Sequence, residues 1–133
     1  MNMKANELMV GDWVLYNDEP FQVEVIYDHG MIRLKGWCEC VEIYELQPIQ
    51  ITPELLEKNG FERENLITSY NHYTGIDNRV CLINDFYSMN SRNMWDVHVD
   101  SEDYCTIANC ELTYLHKLQH LLRLCNIDFE FSV

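Results

Sequence analysis

Residues 112–125, with the sequence LTYLHKLQHLLRLC, carry the longest helical pattern in this chain of 133 residues. Leu115, Leu118 and Leu122 recur at steps of three and four, and Cys125 extends the same stripe, as on the buried face of an amphipathic helix. The rest of the chain consists mainly of short patterns typical of strands. A long helix beside many short strands predicts a mixed α+β fold.

The segment before this helix begins with closely spaced strand signals. Residues 10–46 contain four or five short runs separated by turn residues, and Phe21, Val23 and Val25 alternate with polar neighbours. Short strands joined by tight turns within about fifty residues are typical of a small, strongly curved barrel. We therefore predict an N-terminal barrel lobe over residues 1–49.

A second lobe is predicted over residues 50–133, ordered helix, strands, helix, strand. Its first helix is expected at Thr52–Gly60, where Thr52 can cap the N-terminus, Pro53 fits the first helical position and Gly60 can end the last turn. The candidate strands of this lobe are 66–70, 80–87, 95–100, 104–108 and 127–133.

The chain is strongly acidic, with a formal net charge of −13. Residues 1–50 carry three basic and nine acidic side chains, and residues 51–133 carry six and thirteen, so the acidity is not confined to a tail. Nucleic-acid binding rests on clustered lysine and arginine, so this composition disfavours direct binding of nucleic acid.

Six cysteines in a chain of this length would suggest disulfides in a secreted protein. The sequence shows no charged segment followed by an apolar one and no long apolar run, so we expect neither a signal peptide nor a membrane span, and the predicted core is sufficient without bridges. We therefore predict a cytoplasmic protein with no membrane contact, whose cysteines are reduced and mostly buried.

The helix carries a second pattern, a basic island in an acidic chain. His116 and His120 lie one turn apart, a spacing at which two imidazoles can reach one metal ion. However, Lys117 occupies the position where the zinc-protease motif has glutamate, and Arg123 follows on the same face. A solvated surface that contacts an acidic partner, or the chain's own carboxylates, fits these cations better than a metal site.

Two cysteines form the other weak metal or thiol candidate. Cys38 and Cys40 would share one face of a strand, but zinc sites usually place two to four residues between paired cysteines. No motif indicates a nucleophile with its base, and no glycine-rich loop could hold phosphate. We therefore assign no catalytic residue and no cofactor.

Two further residues are candidates for a contact surface. Trp37 follows Gly36 and is expected to be partly exposed, whereas Trp13 and Trp95 fall within strand patterns and are expected in the core. Leu124 lies about half a turn from the centre of the apolar stripe, so it should face solvent unless it contacts an oligomer or another partner.

Two parts of the chain resemble known groups of proteins. The run NELMVGDWV, residues 6–14, resembles the entry strand of small barrels of the Src-homology-3-like type. The runs ITPELLEKNGF, residues 51–61, and LTYLHKLQHLLRLCNID, residues 112–128, resemble a family of short uncharacterised proteins from gut anaerobic bacteria and their mobile elements and prophages. The resemblance implies a bacterial accessory protein and transfers no catalytic residue.

These observations favour a non-enzymatic accessory protein that binds another protein and is encoded by a mobile element. The first alternative is an acidic decoy that imitates DNA and blocks a nucleic-acid-binding protein. The second is a metal- or thiol-dependent enzyme using His116 and His120, or Cys38 and Cys40. Both alternatives stay open at the level of sequence.

Overall fold

The computed structural model describes residues 3–64, 70–85 and 93–133. In this part of the chain it contains two five-stranded antiparallel sheets and two α-helices, which confirms the predicted α+β class. None of its described helices is long and apolar enough to cross a membrane.

The chain divides into two compact units. The first comprises Met1–Ile49 together with Tyr114–His120, and the second comprises Gln50–Thr113 together with Leu121–Val133. The first unit thus includes a segment of the C-terminal helix that the sequence assigned to the second lobe.

The first unit is built on an antiparallel sheet with the strand order β4-β3-β2-β1-β5. Its strands are β1 (Trp13–Tyr16), β2 (Glu19–Ile26), β3 (Met31–Leu34), β4 (Cys40–Glu42) and β5 (Leu46–Pro48). β4 and β5 form the two edges of this sheet, so closure into a barrel stays a prediction.

β1 and β2 are joined by a tight turn of two residues, Asn17 and Asp18. Asn17 and Asp18 both have positive φ, 51° and 62°, and Tyr16 pairs with Glu19. Two consecutive residues with positive φ match the twist of the flanking strands, which is why asparagine and aspartate favour such turns. The run of residues 17–20, NDEP, predicts a turn, but Glu19 and Pro20 already belong to β2.

Apolar and polar side chains alternate over residues 41–46, which predicts one strand, but this prediction is wrong because a 3-10 turn at Ile43–Glu45 separates β4 from β5. The backbone N–H of Glu42 donates to the Glu45 carboxylate at 2.9 Å, which satisfies a donor at the start of this turn. The apolar alternation that suggested one strand reflects burial on either side of the turn.

The core of the first unit is aliphatic. Side chains from all five of its strands meet there with two from the N-terminal segment. Its fully buried members are Met3, Leu8, Val14, Val23, Ile32, Leu34, Val41 and Leu46.

The second unit contains the other sheet, with the strand order β10-β9-β8-β7-β6. Its strands are β6 (Glu62–Arg63), β7 (Tyr70–Gly75), β8 (Val80–Asp85), β9 (Trp95–Asp100) and β10 (Thr106–Leu112). Trp95, Val97 and Val99 are buried and their neighbours are half-buried, so the alternation predicted for β9 is confirmed. The predicted strand at 66–70 lies outside the described residues except for Tyr70, as does the end of the strand predicted at 80–87.

Helix α1 spans Pro53–Lys58 and forms as its local signals predict. The Thr52 hydroxyl accepts a hydrogen bond from the Leu55 N–H at 3.2 Å, and Pro53 occupies the first turn. Gly60 follows with φ of +83°, a conformation that side chains disfavour.

Helix α2 spans Leu115–Leu124, shorter at its start than the predicted range because Leu112 is still part of β10. Leu115, Leu118 and Leu122 are buried, which confirms the apolar face read from the sequence.

The predicted strand at 127–133 is wrong, since no residue there joins a sheet. Its burial still alternates: Ile127 and Phe131 are buried, and Phe131 stacks on Phe61 with ring centroids 6.5 Å apart. The backbone of Ser132 instead bonds to the side-chain amide of Asn59, donating at 2.7 Å and accepting at 2.8 Å. A side chain thus replaces the neighbouring strand that the pattern implied.

Gly75 provides a test of packing in the second unit. A β-carbon at this position would lie 2.5 to 2.8 Å from three ring atoms of Phe61. We expect Gly75→Ala to lower the free energy of unfolding by about 2 kcal/mol, because the buried Phe61 ring must shift. Urea denaturation, monitored by circular dichroism, measures this change in the free energy of unfolding.

The control for this prediction is a double-mutant cycle. Phe61→Ala removes all three ring atoms that the new methyl group would meet, so the double variant should be more stable than the sum of the two single effects predicts. Strict additivity would contradict the proposed clash.

Candidate functional site

A buried carboxylate lies in the first unit, directly before β1. Asp12 has no exposed surface. Its Oδ2 atom accepts a hydrogen bond from the Met9 N–H at 2.8 Å and lies 2.6 Å from Nε2 of His120. A buried carboxylate needs such partners, because an unpaired charge in the interior is strongly destabilising.

Gln119 fixes the backbone on both sides of this carboxylate. Its amide nitrogen donates to the Gly11 carbonyl at 3.0 Å, and its oxygen accepts from the Trp13 N–H at 2.9 Å. Gln22 also donates to the Gly11 carbonyl, at 3.2 Å. We call Asp12, Gln119 and His120 the anchor, since together they hold residues 11–13 through side chains of α2.

His116 lies one helical turn before His120 and is buried, with 2% exposure. Its ring stacks on Tyr114 and meets the His120 ring edge-on, with centroid distances of 6.1 and 5.8 Å. Neither ring nitrogen has a hydrogen-bond partner within the described part of the chain. One nitrogen of a neutral imidazole always carries a proton, so this burial leaves a donor unsatisfied.

Burial also changes the ionisation of His116. Desolvation, followed by the nearby charges of Lys117 and His120, lowers the pKa of His116 from 6.5 to about 4. The imidazole is therefore neutral at physiological pH, which suits its apolar surroundings.

The anchor has limited chemical capacity. His120 is held in one orientation by Asp12, as a general base would be, and its side chain is 18% exposed. However, no serine, threonine or cysteine hydrogen-bonds to it among the described residues, so the pair lacks a nucleophile. Within the same residues, no group of three or more His, Cys, Asp or Glu side chains is arranged to hold a metal ion.

The prediction of a contact surface on α2 is wrong for His116. Burial removes His116 from it, and His120 turns towards the chain's own Asp12, one of the two interpretations of this basic island. Lys117 and Arg123 are half-buried. Leu124 is 85% exposed, as its position on the helix predicted.

The cysteines differ from their prediction. All six are free thiols, but none is buried: Cys38, Cys40 and Cys105 are exposed, and the other three are half-buried. Cys38 precedes β4 and only Cys40 lies within it, so the two do not occupy one strand as a paired site would require.

A thiol–imidazole pair on the second sheet was not apparent from the sequence. The Sγ atom of Cys81 on β8 lies 2.8 Å from Nε2 of His72 on β7. Burial, reinforced by Glu64, Asp100 and Asp96, raises the pKa of the Cys81 thiol to about 11, against a lowering effect of Thr74. The thiol stays protonated at neutral pH, so it is a poor nucleophile. Only the register of β7 and β8 brings these residues together.

The pKa of His116 gives a pH prediction. The unfolded chain binds a proton near pH 6.5 and the folded chain only near pH 4, so acidification through this window favours unfolding. The expected loss is on the order of 2 kcal/mol. His116→Phe should abolish this part of the pH dependence and keep the ring contacts, as measured by urea denaturation between pH 7.5 and about 4.5.

The matched control for His116 is His98→Gln, which alters a half-exposed histidine of the second sheet. This variant should keep the wild-type difference between neutral and acidic pH. A His116→Phe protein whose stability falls with pH as steeply as the wild type would contradict the assignment.

The anchor gives a second prediction. Asp12→Ala should lower the free energy of unfolding by about 3 kcal/mol, because it leaves the Met9 N–H and His120 without their shared acceptor. Glu19→Gln, which changes an exposed carboxylate of the same unit, should have an effect below about 0.5 kcal/mol. Equal effects of the two substitutions in thermal or urea denaturation would show that Asp12 is not an anchor.

Comparison of the chain with protein-family models, with curated proteins and with solved structures gives no match. The sequence resemblances described above therefore stay predictions. Function has to be inferred from the residues that the structure brings together.

Proposed function

We propose that this chain is a non-enzymatic accessory protein that binds another protein through an aromatic cluster of its first unit. The cluster consists of Tyr16 at the end of β1, Phe21 on β2 and Trp37 after β3. The observation that carries the proposal is that these three rings contact one another while Trp37 stays 36% exposed.

The cluster is a compact surface of three mutually packed rings. The Trp37 ring centroid lies 5.6 Å from Tyr16 and 5.7 Å from Phe21, and Tyr16 and Phe21 are 6.4 Å apart. All three pairs are edge-to-face, an arrangement that aromatic quadrupoles favour. Rings held by one another lose little conformational entropy on binding, which suits a contact surface.

Tryptophan and tyrosine are the side chains that most often dominate the energy of protein interfaces. Both combine a large apolar surface with a polar group that can donate a hydrogen bond. Leu124, in the second unit, is a further exposed residue of the predicted contact surface. An oligomeric contact through Leu124 is part of the same proposal.

The fold of the first unit supports the proposal. An antiparallel order β4-β3-β2-β1-β5, with a 3-10 turn between β4 and β5, agrees with the resemblance to small Src-homology-3-like barrels. We include the barrel, a cytoplasmic location and an origin on a mobile element in this proposal. Six free thiols support a reducing compartment.

The alternatives have less support. A metal enzyme lacks a group of three candidate ligands among the described residues, and the thiol of Cys81 is protonated at neutral pH. The acidic decoy stays a prediction, because it depends on carboxylates spaced like phosphates along one face.

Affinity capture from the native host tests the proposed surface. The wild type should retain at least one partner, identified by mass spectrometry, that Trp37→Ala loses, because truncation of a hot-spot aromatic weakens binding by about 2 kcal/mol or more. Circular dichroism and thermal denaturation should show that Trp37→Ala remains folded, since the side chain is partly exposed.

Tyr44→Ala is the matched control, because Tyr44 is an exposed aromatic residue of the same unit outside the cluster. It should retain the partner of the wild type. If the wild type, Trp37→Ala and Tyr44→Ala all recover the same proteins, the cluster has no binding role.

A further inference from the structure

The second unit has a long sheet edge that is free in the described part of the chain. β10 comprises seven residues and pairs only with β9. The other edge strands are β4 and β5, with three residues each, and β6, with two. Short edge strands are one way in which proteins avoid unwanted pairing, and β10 lacks this protection.

The hydrogen-bond pattern shows which backbone groups of β10 are available. The Asp100 N–H donates to Arg79 on the side of β8, and the Ser101 N–H donates to Cys105 on the other side. Alternation along β9 then directs Val99 and Val97 towards β10. Their partners, Ala108 and Cys110, therefore bond to β9.

By the same alternation, Asn109 and Glu111 direct their backbone N–H and C=O groups away from β9. These groups form what we call the β10 edge. They have the spacing that a further strand needs for pairing.

β10 also lacks two residue types that commonly protect an edge. It contains no lysine and no proline, and none of its residues is buried. Ile107 on the strand and Tyr104 just before it are 49% and 64% exposed, so apolar surface accompanies the free backbone. A bulge between Thr106 and Ala108 is the one irregularity of its pairing with β9.

Carboxylates predominate along β9 and β10, although Nε2 of His98 lies 3.4 Å from Asp96 and the Arg79 side chain donates to the Asp100 carbonyl at 3.0 Å. Residues 95–112 contain no lysine or arginine and carry five carboxylates: Asp96, Asp100, Glu102, Asp103 and Glu111. Cross-strand partners project on the same face of a sheet. Asp96 is opposite Glu111, and Asp100 is opposite Thr106. Asp96, Asp100 and Glu111 therefore lie on one face of the sheet, opposite the face of the buried Val97 and Val99.

We propose that the β10 edge binds an extended, lysine-rich or arginine-rich segment of a partner protein as an additional strand of the sheet. Backbone hydrogen bonds from Asn109 and Glu111 supply the pairing, as in other cases of strand addition. Alternate basic side chains of the segment meet the carboxylates of β9 and β10. This surface goes beyond the aromatic cluster and shares no residue with it.

The test uses a fluorescein-labelled peptide, Lys-Val-Lys-Val-Lys-Val-Lys, whose seven residues match the length of β10. Fluorescence anisotropy should show saturable binding that weakens with salt. Methylation of backbone nitrogens on both edges of the peptide should weaken binding by about tenfold or more, because it removes the pairing hydrogen bonds whichever edge faces β10 and leaves the charge unchanged. A peptide with glutamate in place of lysine should not bind.

Two protein variants test the edge directly. Asn109→Pro removes an N–H that faces away from the ladder, the position where a sheet edge tolerates proline, and should weaken peptide binding by about tenfold. Asn109→Ala keeps that N–H and should bind within about twofold of the wild type. Trp37→Ala should also bind the peptide normally, so failure of one surface is distinguishable from failure of the other.

Several results would overturn the proposal. Equal binding of the methylated and unmethylated peptides would mean that the acidic surface attracts cations without strand pairing. Absence of saturable binding, or a dimer in sedimentation that Asn109→Pro dissociates, would also refute it, the latter in favour of a second copy of this chain. If Asn109→Pro does not fold, the methylated peptide with the wild-type protein decides the question.

Discussion

The first unit depends on how it accommodates one buried charge. Asp12 has no exposed surface, and a carboxylate in that position is strongly destabilising unless its oxygens are bonded. The Met9 N–H and His120 supply those bonds from opposite ends of the sequence. β1 begins at the next residue, so these hydrogen bonds hold the chain directly before the sheet. Residues 114–120 therefore have to be present for this unit to be complete.

Polar side chains around Asp12 differ in how well they are satisfied. Gln119 uses both ends of its amide, which leaves neither the Gly11 carbonyl nor the Trp13 N–H unbonded. His116 is the opposite case, because its ring contacts do not replace the hydrogen bonds that its nitrogens lack. Burial lowers the pKa of His116, so the ring is uncharged at neutral pH and the interior does not have to hold a charge as well. The same helix thus carries a stabilising polar pair and a residue that makes stability sensitive to acid.

Local signals in the sequence predicted local structure well, and long-range pairing poorly. Thr52 caps α1 as expected, because its hydroxyl and the Leu55 N–H that donates to it lie three residues apart. Asp12 and His120 are separated by 108 positions, and no pattern in either segment indicates that they meet. The basic island on α2 was recognised, but burial of His116 depends on the core that forms around it. Sequence periodicity gives the direction of a side chain and not the identity of its neighbour.

Residues 127–133 also show what sequence periodicity can and cannot predict. Alternation at 127–133 predicted which residues face inward, and burial of Ile127 and Phe131 follows it. The error was to infer a strand, since Asn59 supplies the backbone hydrogen bonds that a neighbouring strand would otherwise provide. Burial and hydrogen bonding are separate requirements, and the chain can satisfy them with different partners. Only the first of the two is encoded in the alternation.

β10 shows the same independence of burial and hydrogen bonding, because its backbone has a free edge in an acidic part of the chain. The free backbone groups of an exposed edge strand can pair with the same edge of another copy of the chain. The carboxylates of β9 and β10 oppose this pairing, because two edges of like charge repel each other. The same carboxylates attract a segment of opposite charge. Acidity along β9 and β10 therefore does not need to be read as solubility alone. It can keep copies of the chain apart while leaving the edge available to a basic partner, and the net charge of −13 strengthens both effects.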